Sequence, residues 1–315
     1  MTRDAMRSDD ASAPGASTEW GGGASSEPAR VITSQAAAKA AGENFPVALR
    51  MLPARYRRHL TAVYGFARSA DDMGDEAPAA QRLALLDELE ADLRRLYGPA
   101  AVKGDGEAGG RPRLPVIRAL APAVAECAIP AQPFLDLIQA NRQDQVVTHY
   151  QTFDELLAYC RLSANPVGRI VLHVFGAATP PREMLSDLVC TALQLAEHWQ
   201  DVAEDLRAGR IYLPGKDLAA YGVTAADLAA PSASPQVRAL LAFEVGRAAD
   251  LLDEGARITG TLRGFARAAV AGYVAGGRAA LAAITASGCD VLAATPRPRN
   301  RRLVAELLRA YLTGR

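Results

Sequence analysis

The sequence has little of several features that mark common classes of protein. Its 315 residues include four cysteines, and no two of them lie close together, so there is no CxxC pair and no zinc-binding spacing. Lysine plus arginine number 35, as do aspartate plus glutamate, so the formal net charge is zero. The basic excess that is typical of nucleic-acid-binding proteins is missing, and we expect no nucleic-acid partner.

Long hydrophobic runs are also missing. The N-terminus carries charges but lacks the apolar segment of a signal peptide. The most apolar stretch, residues 265–295, is interrupted by Arg267, Arg278 and Asp290, well short of the ~20 apolar residues that a membrane span needs. We therefore expect a cytoplasmic protein, and peripheral contact with the inner membrane stays an open alternative.

Few segments alternate with the period of two residues that strands show. Alanine, leucine, arginine and glutamate, which favour helix, are abundant instead. The pattern predicts helices at 54–75, 79–97, 115–127, 132–145, 152–163, 166–177, 182–207, 225–228, 235–261, 264–288 and 300–312. We predict an all-α fold with a disordered tail over 1–32, one helical bundle over 33–295 and a basic C-terminal helix over 296–315 that packs on or near it.

The stretch YGFARSADDMGDE, residues 64–76, is the first candidate for chemistry. On a helix, Tyr64, Arg68, Asp71 and Asp75 would fall within an arc of roughly 60°. Two carboxylates four residues apart repel each other, so something must offset their charge. The stretch is either a solvated acidic helix end paired with Arg68, or a Mg²⁺ site that also holds substrate phosphates.

A second stretch, QLAEHWQDVAEDLRAGRIYLP at residues 194–214, repeats the acidic pair. Gln194, His198, Asp201 and Asp205 would share an arc of about 60° on a helix, with Glu197 at its flank. Two such pairs, each near an arginine, are together more informative than either alone. Facing each other across a helical bundle, they would make a multi-metal diphosphate site.

These stretches, in this order, resemble the squalene and phytoene synthases, the head-to-head prenyl synthases of the isoprenoid synthase fold. The resemblance rests on YGFARSADDMGD, QDVAEDLRAGRIYLP, LLAYCRLSANPVG at 156–168 and ENFPVALRMLP at 43–53. The ENFPVA segment and residues 159–176 are most similar to the bacterial hydroxysqualene synthases of hopanoid pathways. The resemblance implies a bundle with a central cavity, Mg²⁺ as cofactor, and presqualene diphosphate or another prenyl diphosphate as substrate.

The resemblance also implies a role for each matching position. The metal ligands would be Asp71, Asp75, Asp201 and Asp205 at matching positions, and Glu197, which does not match, is a further candidate ligand. The diphosphate contacts would be Asn44, Arg68, Gln194 and Arg210. The catalytic tyrosines that line the cavity would be Tyr64, Tyr159, Tyr212 and Tyr273. The other cavity residues would be Phe45, Leu49, Ala164, Val167, Gly168 and Phe175, with Ala177, Gly272 and Gly276 leaving room for the substrate.

Two positions depart from the family pattern. Glu197 stands where the family usually has asparagine, and His198 stands where it usually has an apolar residue. The sequence therefore leaves open which residues would bind a third metal ion. The sequence predicts hydroxysqualene formation by ionisation and water capture. Squalene or phytoene synthesis from two prenyl diphosphates, and a non-catalytic assembly factor of the same fold, are the alternatives. The sequence does not predict an oligomeric state.

Two further segments each allow two interpretations. The C-terminal stretch PRPRNRRLVAELLRAYLTGR carries six arginines against one glutamate. It is either an amphipathic helix attracted to anionic lipid or a solvated helix that closes the domain. Asn141, Gln143 and Asp144 are polar residues within a helical pattern, and they either hold water near the cavity or form a solvated face.

Overall fold

The structure is a computed structural model that describes residues 52–98, 111–298 and 300–314. In the last of these ranges, side chains are described from residue 304 onward. The secondary structure of the described ranges is helical. The predicted tail and the predicted site residues Asn44, Phe45 and Leu49 lie outside the described residues. Within those ranges no strand is formed, and His149 and Ile211 make an isolated parallel bridge. The all-α prediction is confirmed.

The described ranges contain fourteen α-helices and one π-turn. In chain order they are α1 (Ala54–Asp71), the π-turn (Asp72–Glu76), α2 (Ala79–Tyr97), α3 (Pro115–Cys127), α4 (Gln132–Gln143), α5 (Phe153–Ser163), α6 (Asn165–Val174), α7 (Pro180–Gln200), α8 (Val202–Arg207), α9 (Gly215–Ala220), α10 (Ala225–Leu228), α11 (Pro235–Gly255), α12 (Ile258–Thr261), α13 (Gly264–Ala286) and α14 (Asn300–Thr313).

Local sequence explains where several helices begin. A proline occupies one of the first two positions of α3, α4, α6, α7 and α11. Proline suits the first turn because its fixed φ is helical and its missing N–H would have no partner there. At the start of α5, Thr152 and Glu155 form a capping box in which the Glu155 amide donates to Thr152 Oγ1 at 3.1 Å.

Two groups of buried side chains form the core. The larger group surrounds α7, which packs against α6, α11 and α13 and buries Trp199 completely. The smaller group fills the space between α1, α2, α3 and α4. Helix α6 joins the two, because Ile170 belongs to the smaller group and Leu172 to the larger. Phe175 and Tyr273 contact both groups, so these two predicted cavity residues lie at the boundary between them.

Besides the predicted helix 54–75, which gives way to the π-turn after Asp71, two helices that the sequence predicts as continuous are interrupted. The predicted helix 235–261 breaks after Gly255, and the predicted helix 182–207 breaks at Asp201. A Cβ on Gly255 would lie 2.8 Å from the backbone nitrogen of Val189, so α11 ends where its backbone presses against α7. Neither break carries a proline, and tertiary packing of this kind leaves no local sequence signal. The six-residue helix α9 was not predicted, because it is too short to show a helical period.

Helix α13 is long and apolar enough to cross a membrane, judged by length and composition. In the described structure it packs against α7, α11 and α14 and contributes Val270, Val274 and Leu281 to the core. Core helices of soluble proteins pass the same test, so this composition does not indicate a membrane span.

Candidate active site

The first acidic stretch departs from the continuous helix that the sequence predicts. Helix α1 ends at Asp71, and the wider π-turn that follows carries Asp72 and Asp75. The π-turn therefore shifts Asp75 off the single stripe expected for an α-helix. Gly74 allows this turn to approach α4, since a Cβ at that position would lie 2.4 Å from Asn141 Oδ1.

The carboxylates of this stretch have defined partners. Asn141 Nδ2 donates to Asp71 Oδ1 at 3.2 Å, and Arg210 Nη2 donates to Asp75 Oδ1 at 2.7 Å. Asp71 is exposed to solvent although protein atoms crowd around its carboxylate, as expected for a residue that lines a cleft. This crowding raises the pKa of Asp71, and the hydrogen bond from Asn141 and the positive charge of Arg68 only partly oppose it.

Arg68, a predicted diphosphate contact, is engaged within its own stretch. Its Nη2 atom lies 2.5 Å from Asp72 Oδ1 and 2.6 Å from Glu76 Oε1. The guanidinium thus offsets the charge of two carboxylates that are not predicted metal ligands. A contact between Arg68 and a diphosphate would have to compete with these ion pairs.

The second acidic stretch contains a break rather than one continuous helix. Helix α7 ends at Gln200, Asp201 adopts φ −102° and ψ 16°, and α8 begins at Val202. The Asp205 amide nevertheless donates to the Asp201 carbonyl at 2.8 Å, so the two aspartates stay one helical turn apart. The spacing that the sequence shows is therefore kept, although the helix that was predicted to carry it is not.

Within the described part of the chain, no lysine or arginine lies at contact distance from the second pair of aspartates. Burial, followed by the charge of Asp201, raises the pKa of Asp205 to about 7, and the positive charge of Arg210 only partly opposes this. Burial and the charge of Glu204 also raise the pKa of Asp201. Glu197 is exposed and adds to the negative charge around Asp205. The site therefore favours a cation at this position.

Arg210, in the second acidic stretch, forms an ion pair with Asp75 in the first, 135 residues earlier in the sequence. It reaches this place because Gly209, at φ +79°, turns the chain out of α8 in the left-handed conformation that glycine tolerates. The Ile211 amide then donates to the Thr148 carbonyl at 2.8 Å, which fixes the segment beside α5. The structure thus brings the first and second acidic stretches to one site.

A cluster of rings borders this site. Tyr150, Tyr159 and Tyr212 have ring centroids 5.4 to 6.1 Å apart, and His198 stacks on Tyr212 with centroids 3.7 Å apart and planes 13° apart. Burial lowers the pKa of His198 to about 3, so the imidazole is neutral. Its Nδ1 atom lies 3.9 Å from Asp205 Oδ2.

Gln194, the third predicted diphosphate contact among the described residues, lies one turn before His198 on α7. Its Nε2 atom is 3.3 Å from His198 Nε2. His198, Asp205, Arg210 and Tyr212 also line a small pocket of about 10 Å³, which is close to the space that one water molecule needs. Gln194 is therefore placed to orient the histidine behind the second acidic stretch.

Asp144 is a site residue that the sequence analysis did not select. It follows α4, and its Oδ2 atom accepts a hydrogen bond of 2.9 Å from the Tyr159 hydroxyl. Its buried Oδ1 atom has no hydrogen-bond partner among the residues that the structure describes. Burial raises the pKa of Asp144 to about 6, with Asp71 and Asp75 adding to the effect. The polar run from Asn141 was the only signal in the sequence, and it fitted a solvated face equally well.

The remaining predicted residues occupy different environments. Tyr64 is half-buried on α1, Ala164 is buried between α5 and α6, and Val167 is half-buried on α6. A Cβ on Gly272 or Gly276 of α13 would meet no atom within 4 Å, and their place in a cavity stays a prediction.

Gly168, a predicted cavity residue, is packed against neighbouring side chains. A Cβ at this position would lie 2.4 Å from Ser186 Oγ and 2.5 Å from Cys190 Sγ. The missing side chain therefore lets α6 and α7 approach each other, and the space beside Gly168 is already filled.

The donor set of the site fits a hard divalent cation in its chemistry. Arg210 of the second acidic stretch pairs with Asp75 of the first, and the aspartates of both stretches offer the carboxylate oxygens that Mg²⁺ prefers as ligands. Among the described residues, however, no group of three or more His, Cys, Asp or Glu side chains already surrounds a single point. The ion pair between Asp75 and Arg210 explains part of this, since Asp75 would have to exchange the arginine for a metal ion.

Comparisons with known proteins agree with this architecture. The model of the squalene/phytoene synthase family matches residues 38–309. A hydroxysqualene synthase of Sinorhizobium fredii is 36% identical over 228 residues, which are 71% of this chain and 72% of that protein. A phytoene synthase of Mycobacterium bovis is 32% identical over 224 residues, 70% of each protein. The crystal structure of a squalene synthase from Alicyclobacillus acidocaldarius has a TM-score of 0.72 and 41% identity, covering 83% of this chain and 95% of that one.

Proposed function

The chain belongs to the squalene/phytoene synthase family, and from that premise we propose that it is a hydroxysqualene synthase acting on presqualene diphosphate. Membership makes it a prenyl-diphosphate-processing enzyme with the helical isoprenoid synthase fold. One observation carries the proposal: two acidic stretches, far apart in sequence, converge at Arg210 beside a buried cluster of aromatic rings.

The proposed reaction breaks the carbon–oxygen bond to the diphosphate, and the electron pair of that bond leaves with the diphosphate. The rearranged carbocation then gains a bond to the oxygen of one water molecule, which gives up a proton. The products are hydroxysqualene and diphosphate. Mg²⁺, when bound, supplies the Lewis acid that neutralises the departing diphosphate.

The carboxylates and Arg210 would bind the polar end of the substrate. Asp71, Asp201 and Asp205 would hold the metal ions, with Asp75 joining them once Arg210 turns from its carboxylate to the diphosphate. Guanidinium groups suit this exchange because they bind carboxylate and phosphate oxygens with the same geometry. Glu197 and Gln194, on the last turns of α7, would support Asp201 and Asp205.

The aromatic cluster would stabilise the cation and limit the access of water. Tyr159, Tyr212 and Tyr273 present rings in or beside the core, and each ring can stabilise a cation by roughly 0.5–2 kcal/mol. The hydrogen bond from Tyr159 to Asp144 fixes the orientation of that ring. Neutral His198 borders a space of about one water molecule, which suits an enzyme that admits water singly.

The test is product analysis with purified protein, presqualene diphosphate and Mg²⁺, without any nicotinamide cofactor. We expect mass spectrometry to detect hydroxysqualene and diphosphate. Recovery of unchanged presqualene diphosphate would contradict the proposal.

The similarity to phytoene synthases favours a second candidate, a synthase that condenses two prenyl diphosphates. Incubation with farnesyl diphosphate plus NADPH as hydride donor, or with geranylgeranyl diphosphate alone, separates the two, since squalene or phytoene would then be formed. A non-catalytic assembly factor would turn over neither kind of substrate.

A further inference from the structure

The C-terminal helix α14 packs with its small residues inward and its large apolar residues outward. Ala310 is fully buried against the domain, and Gly314, just after the helix, approaches Gly260 so closely that a Cβ would lie 3.1 Å from the Gly260 Cα. Five large apolar residues are instead 38% to 74% exposed. They are Val304, Leu307, Leu308, Tyr311 and Leu312.

These five residues form one continuous face. At 100° per residue they span an arc of roughly 140°, which is the width of a stripe that normally faces a protein core. Ten large apolar residues are exposed among the residues with described side chains, and half of them lie on this one helix. Such a concentration marks a contact surface rather than the scattered exposure of ordinary protein surfaces.

The segment that carries this face has a strongly positive composition. Residues 296–315 contain six arginines and one glutamate in a chain whose formal net charge is zero. The glutamate, Glu306, lies half-buried on the inner side of α14, where its Oε2 atom is 3.8 Å from Arg309 Nη1. An apolar stripe on an arginine-rich segment complements the acyl chains and anionic headgroups of a lipid surface.

We propose that the outer face of α14 docks on a bilayer that contains anionic lipids. The apolar stripe would enter the boundary between headgroups and acyl chains, and the arginines would lie among the headgroups. This docking surface is defined by Val304, Leu307, Leu308, Tyr311 and Leu312. It is separate from the acidic stretches of the candidate active site.

A line of aromatic rings leads from the docking surface toward the core boundary. Arg267 donates to the Tyr311 carbonyl, which places the end of α14 beside the first turn of α13, where Phe265 is exposed. The Phe265 ring lies 6.1 Å from the Tyr56 ring, and the Tyr56 ring lies 4.9 Å from Phe175. If the proposed function holds, these rings offer a lipid substrate an apolar route from the bilayer to the predicted cavity.

Vesicle flotation tests the docking directly and does not depend on turnover. The probes are vesicles of phosphatidylcholine alone and of phosphatidylcholine with one third phosphatidylglycerol. We expect the full chain to float with the anionic vesicles, and salt to weaken the binding. The double variant Leu308→Gln, Leu312→Gln should lower the partition coefficient at least about tenfold, because two large apolar side chains no longer enter the lipid.

Matched variants distinguish lipid binding by the outer face of α14 from lipid binding by exposed apolar residues in general. Val146→Gln with Met184→Gln removes two apolar residues that are equally exposed elsewhere, and it should leave binding unchanged. Arg309→Gln should weaken binding about fivefold, as expected for one arginine near an anionic surface. Circular dichroism checks that each variant remains folded.

Three results would overturn the docking proposal. The wild-type chain could fail to float with anionic vesicles. The Val146 and Met184 control could lose as much binding as the α14 variant. The chain could form a dimer that Leu308→Gln, Leu312→Gln dissociates without any effect on lipid binding, in which case a second copy covers the face. A floating chain without enzymatic turnover would contradict the proposed function alone.

Discussion

The two acidic stretches share the spacing Asp-x3-Asp, but the chain balances their charges differently. In the first stretch, Asp71 accepts a hydrogen bond from Asn141 and Asp75 is paired with Arg210. In the second, no lysine or arginine among the described residues forms an ion pair with Asp201 or Asp205.

The difference shows where the site retains unbalanced charge. Desolvation and mutual repulsion already raise the pKa of Asp205 to about 7. A carboxylate in that state gains more from an added cation than one that already has a guanidinium partner. We infer that the second stretch would provide the stronger metal position, and that the first would complete the site once Arg210 is displaced.

The largest effect should come from removing the unbalanced carboxylates. Asp201→Asn or Asp205→Asn should each lower kcat/KM by about 10³-fold, because several kcal/mol of stabilisation of the leaving group would be lost. Steady-state kinetics with presqualene diphosphate measures this. Asp75→Asn should cost less, because Arg210 would then be free to bind the diphosphate.

Glu204→Gln provides the control for that series. Glu204 is exposed, lies between the two aspartates and carries the same charge. It should leave kcat/KM within about twofold, since exposed charges interact weakly. An equally large loss for Glu204→Gln would mean that overall charge, rather than two ligand positions, determines the effect.

Arg210→Ala should have opposite effects on the metal and on the diphosphate. Losing a charge-assisted hydrogen bond of about 1.5–3 kcal/mol should lower kcat/KM roughly 10- to 100-fold. The same change frees Asp75, so calorimetry should show that Mg²⁺ alone binds at least as tightly as to the wild type. Weaker binding of Mg²⁺ to the variant would mean that Arg210 organises the acidic groups instead of competing with the metal. Arg210→Lys, which keeps the charge, should fall between the two.

His198→Phe should have a smaller effect. Phenylalanine can keep the stacking on Tyr212, but it removes the nitrogen that faces Asp205 and leaves the Gln194 amide without this partner. A loss of about 1 kcal/mol, or roughly fivefold in the affinity for Mg²⁺, is expected. A drop of kcat alone by more than 10²-fold would instead assign His198 a direct part in the chemistry.

A third pair of acidic residues lies outside the candidate active site, and changing it should have the smallest effect. Asp217 and Glu244 share Arg247, whose Nη1 atom lies 2.6 Å from Asp217 Oδ2 and 3.3 Å from Glu244 Oε1. Burial raises the pKa of Glu244 to about 7, so the folded state favours its neutral form. Its contribution to stability is complete below the unfolded pKa of about 4.3 and is lost as the pH rises to about 7.

Glu244→Gln should therefore flatten the dependence of Tm on pH between pH 4.5 and 7 without changing catalysis. Thermal unfolding across this range measures the change. A wild-type Tm that rises over the same interval, with Glu244→Gln rising in parallel, would show that Glu244 does not titrate as inferred.

Much of the site follows from local spacing. Asp71, Asp75, Asp201 and Asp205 could be selected because one helical turn separates the members of each pair, and in the fold the Arg210–Asp75 ion pair links the two stretches. Asp144 could not be selected, because its partner Tyr159 lies on the next helix and only the turn between α4 and α5 makes them neighbours. Long-range contacts of this kind leave no periodic signal in the sequence.

The fold also has features that local sequence predicts and features that it does not predict. Helices with clear apolar periods were predicted to within a few residues, whereas the π-turn after Asp71 and the break at Asp201 were not. Both irregularities lie at the predicted metal ligands, where local helical preference yields to the geometry of the site. The amphipathic pattern of α14 was clear, but the pattern alone cannot show that its apolar face points outward.

The most direct test of the account is a double-mutant cycle on diphosphate binding. Calorimetry would measure the binding of inorganic diphosphate with Mg²⁺ to the wild type, Asp71→Asn, Asp205→Asn and the double variant. One shared site predicts that each single variant loses most of the affinity and that the double variant loses little more, with a coupling above about 1 kcal/mol. Losses that simply add would mean that the two acidic stretches act as separate sites, and would contradict the account.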